Sequence, residues 1–543
     1  MQVRHLMRAI PAFLAVTAFA ADPLPTHVAS ANPKIARFAQ PNILSPELFE
    51  TIVAQGSNKL EIPAGITAGV FTYYGYNEDA GLAMIPPTGS NAEFHKTEPD
   101  KNVYLVLKNQ KGADPSYKYG THFLFQGHET GVSGYFTRIN LDADGAHRVT
   151  LMANADVNGA TLPVYDGITW YPFSQRLLLT SEGNGTSTGG VWQATLDVPS
   201  KVKSLTGILG QGGFEGIQAD SQGRLIIVED IGGSAGSAFP QAKRPNSFIF
   251  RFTPKNTSDL TQGGKLEALQ LASKAHSGPI VFAAASNDAA IQSQDVADMH
   301  TYGLSFDTAW VTVHDTDTDG MAVFNANQLA KDKLATPFKR PENGQFRPGT
   351  NFAEFIFDET GDTNLNTQAG TTYGGFGAIF RLRLTGDTGK LSLVYNGDAA
   401  GIHAGFDNCG FWDRDRIVFV EDAGDGLHGQ RNGLDSAWLF DLNTDYSSGN
   451  QPIRILAQGR DASATLDSQL SGSSGFVNEG DNEITGWHHS DGDPTVYGLL
   501  GAKIPKPFRA GWRMFYTQQH GDNNTFEVLS KKANKGDDDE DED

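Results

Sequence analysis

The sequence contains a single cysteine, Cys409, so an internal disulfide bond is excluded. Basic residues are also few: 42 Lys and Arg stand against 63 Asp and Glu, which gives a formal net charge of −21. This acidic balance argues against contact with a phosphate backbone, so we expect no nucleic-acid partner. Without disulfides, stability must come from apolar burial and from bound metal ions.

Several hydrolase motifs are also absent. The sequence has no G-x-S-x-G turn for a serine nucleophile, no H-E-x-x-H helix and no cysteine pair with zinc-ligand spacing. These absences exclude the usual serine-hydrolase and zinc-protease chemistries.

Long apolar runs are missing as well. The one apolar segment of note lies in residues 1–20, where Arg4 and Arg8 precede a short hydrophobic run that ends in Ala18-Phe19-Ala20. The run is shorter than the ~20 residues that span a bilayer, and it ends in a small-x-small cleavage pattern. We therefore expect a cleaved Sec-type signal peptide, with a short membrane anchor as the alternative. The signal peptide predicts a periplasmic or secreted protein without a membrane span.

What the sequence does contain is a series of short β-type runs separated by Gly, Asp and Asn, with little helical periodicity. This pattern predicts an all-β fold. We expect an irregular N-terminal segment over residues 21–65, a main domain over residues 66–529, and a disordered acidic tail over residues 530–543.

An internal repeat sets the architecture. Residues 166–182, 215–230 and 407–422 share one template: an acid followed by Gly or Asn, a polar turn, and an aliphatic strand that ends in an acid. Looser copies occur at residues 302–315, 342–359 and 483–498. Acid-Gly turns recur in many β-rich proteins, but the spacing of these copies leaves room for one four-stranded sheet each. The repeat therefore predicts a β-propeller with six blades.

Equivalent positions in successive blades face one another across a propeller channel. The first acids of the frames then form one ring, which only Tyr302 interrupts: Asp166, Glu215, Glu342, Asp407 and Glu483. Crowded carboxylates raise one another's pKa unless a cation neutralises them. Because hard oxygen ligands suit calcium, the ring predicts a calcium site.

Two shorter motifs leave alternatives open. The stretch from His314 to Gly320 places Asp315, Asp317 and Asp319 at alternate positions, as in the first half of a calcium loop, but Ala326 stands where an EF-hand has glutamate. A calcium loop and a plain Asp-Gly turn both fit.

The second motif is Lys339-Arg340-Pro341-Glu342. Arg340 lies two residues before a ring carboxylate, where a guanidinium group can hold a phosphate or carboxylate in a bidentate manner. The alternative is an arginine paired with a neighbouring acid.

Several segments occur in an order that resembles the PhoX-type alkaline phosphatase family of secreted bacterial proteins. The segments are Gln126-Gly127-His128-Glu129, Leu179-Thr180-Ser181-Glu182, Phe214-Glu215-Gly216, Val228-Glu229-Asp230, Pro245 to Phe252, Arg340-Pro341-Glu342 and Asn482 to Gly486. The resemblance covers roughly residues 66–529.

The resemblance implies a six-bladed propeller that holds iron and calcium in its channel and hydrolyses phosphomonoesters. It implies that Glu215 and Glu342 are metal ligands at the reactive cluster, and that Arg340 grips the phosphate. Glu182, Asp230 and Glu483 would be ligands on the calcium side. Where the family has a metal-binding cysteine, this chain reads Val157-Asn158-Gly159-Ala160, which favours calcium over iron.

The sequence thus predicts an exported, metal-dependent phosphomonoesterase acting on a small phosphate ester, with Arg340, Glu342 and Glu215 as catalytic residues. Two alternatives remain: a calcium-dependent lactonase-like or phytase-like esterase, and a non-catalytic propeller in which calcium only joins the blades. A closed propeller has no free sheet edge, so we expect a monomer.

Overall fold

The computed structural model describes residues 24–28, 42–56, 58–77, 97–130, 133–183, 188–282, 284–362, 367–398, 405–422, 435–458, 483–519 and 523–532. The expected signal peptide lies outside these residues, as does the tail after residue 532. Within them the protein is almost entirely β, as the sequence predicts.

The strands are β1 (Asn42–Leu44), β2 (Leu48–Ala54), β3 (Leu60–Glu61), β4 (Pro99–Val106), β5 (His122–His128), β6 (Phe136–Asn140), β7 (Val149–Ala153), β8 (Ile168–Tyr171), β9 (Arg176–Ser181), β10 (Gly190–Ala194), β11 (Val202–Ser204), β12 (Phe214–Ala219), β13 (Leu225–Glu229), β14 (Ile249–Pro254), β15 (Gly264–Leu271), β16 (Ser305–Asp315), β17 (Gly344–Phe346), β18 (Glu354–Glu359), β19 (Ala378–Thr385), β20 (Thr388–Asn396), β21 (Phe406–Phe411), β22 (Arg416–Glu421), β23 (Ser436–Asp441), β24 (Ile453–Gln458), β25 (Glu483–Ser490), β26 (Arg513–Gln519) and β27 (Thr525–Ser530).

The helices are short: α1 (Thr206–Leu209), α2 (Asn287–Ile291), α3 (Gln294–Met299) and α4 (Ala326–Asp332). In the part of the chain that the structure describes, none of the helices has the length and apolar character needed to cross a membrane.

Antiparallel meanders form most of the sheets. Strands β4 to β7, β8 to β11, β21 to β24 and β25 to β27 each make one sheet in sequence order. The fifth sheet has nine strands, in which the meanders β12 to β15 and β17 to β20 are joined by β16, paired with β15 on one side and β20 on the other.

The first strands of these meanders lie next to one another in a closed ring: β4, β8, β12, β17, β21 and β25. This arrangement confirms an all-β, propeller-like fold. The blade number of six stays a prediction, because hydrogen bonds join two of the meanders into one continuous nine-stranded sheet.

One repeat frame was assigned incorrectly from the sequence. The copy at residues 302–315 forms β16, which connects two meanders and is not a first strand of either. Asp100 on β4 lies in the ring at the place that the sequence predicted for Tyr302. Residues 99–106 are not among the predicted copies of the repeat. A strand of similar composition can serve either role, since pairing partners distant in sequence decide its place.

The N-terminal segment is more regular than predicted. Three strands lie within the expected irregular range: β1 pairs with β24, β2 with β27, and β3 in parallel with β7. The N-terminal strands therefore complete sheets whose other strands come from later in the chain.

The second strands of the meanders are buried on both faces because each sheet is packed between two neighbours. Leu177, Leu178 and Leu179 on β9 are all fully buried, and so are Ile417 to Val420 on β22. Continuous aliphatic runs are typical of strands covered on both sides. These aliphatic runs are the strands by which the repeat is recognised in the sequence.

A buried hydrogen-bond cluster connects the N-terminal strands to the last sheet. Asn42 Nδ2 of β1 donates to the Tyr516 hydroxyl of β26 over 2.7 Å and to Glu50 Oε1 of β2 over 3.0 Å, while the Tyr516 hydroxyl donates to Glu50 Oε2. Tyr516 is fully buried. Loss of its hydroxyl leaves a carboxylate and an amide without that partner.

We expect Tyr516→Phe to lower the free energy of unfolding by about 1–3 kcal/mol, the cost of leaving buried polar groups unpaired. Urea unfolding followed by fluorescence measures the change. Tyr497→Phe is the matched control, because Tyr497 is 77% exposed. Equal midpoints for the two variants would show that this cluster does not hold the N-terminal strands in place.

Candidate metal centre

The acids of the repeat meet at one end of the ring because of how the strands run. Each first strand begins at this end, and the antiparallel second strand of the same sheet ends there. Asp100, Glu215, Asp407 and Glu483 lie at the start of first strands, while Asp166 and Glu342 come just before β8 and β17. Glu129, Glu182 and Asp230 directly follow the second strands β5, β9 and β13.

These nine acids form four overlapping clusters, in each of which the ligand atoms lie within 4.8 Å of one another. The clusters are Asp100 with Glu129 and Glu483; Glu129 with Asp166 and Glu182; Glu182 with Glu215 and Asp230; and Glu215 with Glu342 and Asp407. Glu129, Glu182 and Glu215 each belong to two clusters, so the carboxylates form one continuous chain. The structure thus brings together all five predicted ring acids, together with Glu182 and Asp230.

Irregular strand starts aim these side chains inward. The register shifts between Pro99 and Asn102 on β4, between Phe214 and Ile217 on β12, and between Phe406 and Cys409 on β21, each time at an acid of the clusters. Bulges of this kind redirect a side chain without ending the sheet.

Close backbone approach requires glycine after two of these acids. A Cβ atom on Gly167 would lie 2.2 Å from the carbonyl oxygen of Glu215, and one on Gly216 would lie 2.8 Å from that of Glu342. The amide of Gly216 donates to the Glu342 carbonyl over 2.9 Å. The acid-Gly pairs of the repeat therefore allow neighbouring first strands to pack closely enough for the acids to meet.

The carboxylates are withdrawn from water. The exposed fraction is 4% for Glu215, 4% for Glu342 and 3% for Asp407. Burial first, and then the charges of neighbouring acids, hold the pKa well above the ordinary range for Glu129, Asp166, Glu182, Glu215, Glu342 and Asp407. Without a cation these groups favour their protonated forms.

The donor set fits calcium. All the clustered ligands are carboxylate oxygens, and Asp407 Oδ2 is buried without a hydrogen-bond partner in the described residues. Asn343 Nδ2 fixes Glu215 by donating to its Oε1 over 2.7 Å. Buried oxygen atoms held in this way are the ligands that hard divalent cations prefer.

The same donor set does not fit a thiolate-bridged iron pair. None of the four clusters among the described residues includes Cys409. Its thiol packs in an apolar cluster with Phe406 and Phe411, and burial raises its pKa. A protonated, apolar thiol is a poor metal ligand.

Arg340 lies at the edge of the chain of acids and is paired with two of them. Its Nε donates to Asp230 Oδ1 over 2.9 Å, and its Nη2 donates to Asp230 Oδ2 over 2.6 Å and to Glu342 Oε1 over 3.0 Å. Its backbone holds a φ of 59°, a left-handed conformation that is uncommon outside glycine. The guanidinium group is thus fixed beside the carboxylates, as the pairing alternative from the sequence describes.

An open cavity of about 630 Å³ leads to this site. Its walls include Glu129, Asp166, Glu182, Asp230, Arg340 and Lys243. A cavity with both acids and bases in its wall admits a small anionic molecule once the acids are neutralised.

The predicted calcium loop contributes nothing to these clusters. Asp315 Oδ1 accepts from the amide of Asp317 over 3.0 Å, Asp319 Oδ2 accepts from the amide of Asp315 over 2.8 Å, and Asp317 Oδ1 accepts from Lys255 Nζ. Within the described residues, the groups that bring three ligand atoms together include none of these aspartates. The loop has the contacts of a polar turn, so the structure does not support Asp315, Asp317 and Asp319 as a metal site.

Sequence reasoning missed three residues of the site. Asp100 and Glu129 occupy the same positions relative to strands β4 and β5 that Glu215 and Asp230 occupy relative to β12 and β13. The sequence pattern of an acid, a strand, a turn and a strand that ends in an acid is therefore also present at residues 100–129. A longer connection between β4 and β5 concealed it. The third residue, Lys101, is buried with its Nζ unpaired in the described chain. Burial raises the pKa of Asp358 well above its ordinary value, and the nearby charge of Lys101 partly opposes that rise.

Comparison with known proteins identifies the fold. No protein-family model matches the sequence, and no curated protein sequence matches it. Among solved structures, PhoX of Pseudomonas fluorescens in complex with vanadate, a transition state analogue, is similar with a TM-score of 0.53 and 11% identity, covering 94% of this chain and 98% of that one.

Two further solved structures are more distant. Sqt1 of Chaetomium thermophilum has a TM-score of 0.33 at 10% identity over 83% of this chain and 100% of its own. A PL25 ulvan lyase has a TM-score of 0.34 at 10% identity over 81% of this chain and 96% of its own. Of these three structures, PhoX has the TM-score that describes the fold, and the chain therefore has a PhoX-like, propeller-type fold.

Proposed function

We propose that the protein is a calcium-dependent hydrolase of small phosphate monoesters. The observation that carries this proposal is the continuous chain of buried carboxylates at the base of an open cavity whose wall also contains Arg340. Phosphomonoester hydrolysis requires cations that hold the phosphoryl oxygens and neutralise charge in the transition state. Bound calcium ions would supply that charge here.

The chain's own residues have distinct roles in this proposal. Glu215 and Glu342, with Asp407 in the same cluster, would hold the metal that serves the phosphoryl group. The other acids of the clusters would hold further metal: Asp100, Glu129, Asp166, Glu182, Asp230 and Glu483. Arg340, fixed by Asp230 and Glu342, directs its guanidinium group toward the bound phosphate.

The proposal also covers the number of blades, the location of the protein and its oligomeric state. The nine-stranded sheet consists of two blades joined by β16, which makes the propeller six-bladed. The protein is exported to the periplasm or the exterior by its N-terminal signal, and it acts as a monomer. The fold similarity to PhoX, described in complex with a transition state analogue, supports phosphate ester chemistry ahead of a lactonase-like esterase or a binding module.

Calcium binding is the first test. We expect calcium to raise the melting temperature of the chelator-treated protein, and Glu215→Gln to weaken calcium binding at least about tenfold, or ~1.4 kcal/mol, since Glu215 belongs to two clusters. Isothermal titration calorimetry measures the affinity. Asp317→Asn is the matched control, because it removes an acid of the predicted loop. If Asp317→Asn weakens binding and Glu215→Gln does not, the calcium site is in the loop.

The pH dependence of stability provides a second test. In the metal-free protein the clustered acids keep their protons to higher pH than unfolded carboxyl groups, whose pKa is about 4. The folded state then binds more protons, so the free energy of unfolding falls as the pH rises above about 4. We expect a lower urea midpoint at pH 8 than at pH 6 in chelator, and a smaller difference in calcium or in the Glu215→Gln variant. A midpoint that rises with pH in chelator would contradict the raised pKa values.

Catalysis is the third test. We expect calcium-loaded protein to hydrolyse p-nitrophenyl phosphate, vanadate to inhibit it, and Glu342→Gln to lower kcat about a hundredfold or more, as is usual when a group that stabilises transition-state charge is lost. Steady-state rates on this ester and on a γ-lactone separate the alternatives. Lactone turnover without phosphatase activity would select the esterase, and no turnover on either substrate would leave the binding module.

A further inference from the structure

We propose that Lys243 is the cation that binds the incoming phosphate in the cavity, an inference that rests on the proposed phosphatase function. The basis is a contrast between three basic groups at this end of the molecule. Arg340 and Lys339 are held in ion pairs, whereas Lys243 lines the cavity and, among the described residues, its ammonium group has no ion-pair partner.

Lys243 belongs to the long connection between β13 and β14, and this connection is firmly anchored. The amide of Lys243 donates to Asp362 Oδ1 over 3.0 Å. The next residue, Arg244, donates from Nη2 to the Phe282 carbonyl over 2.5 Å and from Nη1 to Asn287 Oδ1 over 3.2 Å. Lys243 therefore has a defined backbone position at the cavity wall.

The Nζ atom of Lys243 has room to meet a ligand. A Cβ atom added to Gly232, which also lines the cavity, would lie 3.6 Å from this Nζ. Because Gly232 has no side chain, its position leaves this approach to the ammonium group more open than a larger residue would. Lys243 is half-buried, so its charge is only partly screened by water.

The ammonium group has no hydrogen bond or ion pair within the described residues, although Arg340, Asp230, Asp362 and Glu342 all lie within electrostatic range. By contrast, Lys339 Nζ pairs with Asp362 Oδ1 over 2.7 Å and donates to the Tyr373 carbonyl over 3.2 Å. Lys339 is thus structural, and it pairs with the same Asp362 carboxylate that accepts from the backbone amide of Lys243.

Arg340 is committed in a similar way. Two of its nitrogen atoms already donate to Asp230 and Glu342. A compact ammonium group with three donors and no partner binds a phosphate dianion without breaking an existing ion pair. Lys243 therefore selects anionic phosphomonoesters over neutral esters such as lactones, and it adds to the charge of Arg340, which also positions Asp230 and Glu342.

The test compares Lys243→Met, which keeps the apolar stem but removes the charge, with Lys243→Arg, which keeps the charge. On the calcium-loaded protein, titration calorimetry with inorganic phosphate gives Kd, and p-nitrophenyl phosphate kinetics give KM and kcat. We expect Lys243→Met to raise the phosphate Kd and the KM about tenfold, with unchanged calcium affinity and melting temperature, and Lys243→Arg to restore most of the loss. Lys203→Met is the control, since Lys203 is exposed on β11, outside the residues that line the cavity.

The outcomes separate this inference from the proposed function. If the wild type binds and hydrolyses phosphate esters while Lys243→Met leaves Kd and KM unchanged, the role of Lys243 is overturned and the phosphatase stands. If the wild type binds phosphate without turnover and Lys243→Met weakens binding, the anion site stands and the phosphatase falls. If the wild type neither binds phosphate nor hydrolyses the ester, both are overturned.

Discussion

The crowding of buried carboxylates at one end of the strand ring is the constraint on which the rest of the structure depends. Acids whose ligand atoms lie within 4.8 Å of one another repel strongly once ionised and removed from water. A fold that assembles them needs cations to hold them in the ionised state. The chain supplies some of that charge through Arg340 and the buried Lys101, and the oxygen-only donor set suits divalent metal as the source of the remainder.

The fold tolerates the repulsion between these carboxylates because its stability comes from buried apolar strands away from the metal centre. Second strands such as β9 and β22 are buried on both faces, and the N-terminal strands β1 and β2 complete sheets formed by the end of the chain. The apolar layers between sheets thus fix the strand ends in space. With the strand ends fixed, the acids cannot move apart to relieve their repulsion, and cation binding becomes the favourable way to relieve it.

The basic residues around the site divide into two kinds. Arg340 and Lys339 form ion pairs with Asp230, Glu342 and Asp362, and so they help to position the acids. Lys243 lies in the cavity wall and has no such pair among the described residues. The cavity wall thus combines acids that suit metal with a lysine that suits an anion, a combination that fits metal-assisted phosphate ester chemistry.

The sequence by itself determined the β-type strands, the repeat and most of the acids, because acid, turn and aliphatic strand are local patterns readable within about sixteen residues. The repeat predicted five acids at one channel mouth, from Asp166 to Glu483, and the family resemblance implied Glu182 and Asp230 as further metal ligands. Tertiary structure alone decided which acids share a cluster. Sheet pairing brings Asp100 and Glu129 into the clusters, whereas Asp315, Asp317 and Asp319 belong to none of the clusters among the described residues.

Tertiary structure also decided the role of β16, whose pairing of Ser305 with Ser392 joins strands far apart in the chain. The same holds for the basic residues, because no local pattern shows that the Arg340 side chain pairs with Asp230, while within the described residues only the backbone amide of Lys243 bonds to Asp362. The local sequence determines which charged side chains are present, and long-range packing determines which of these side chains contact one another.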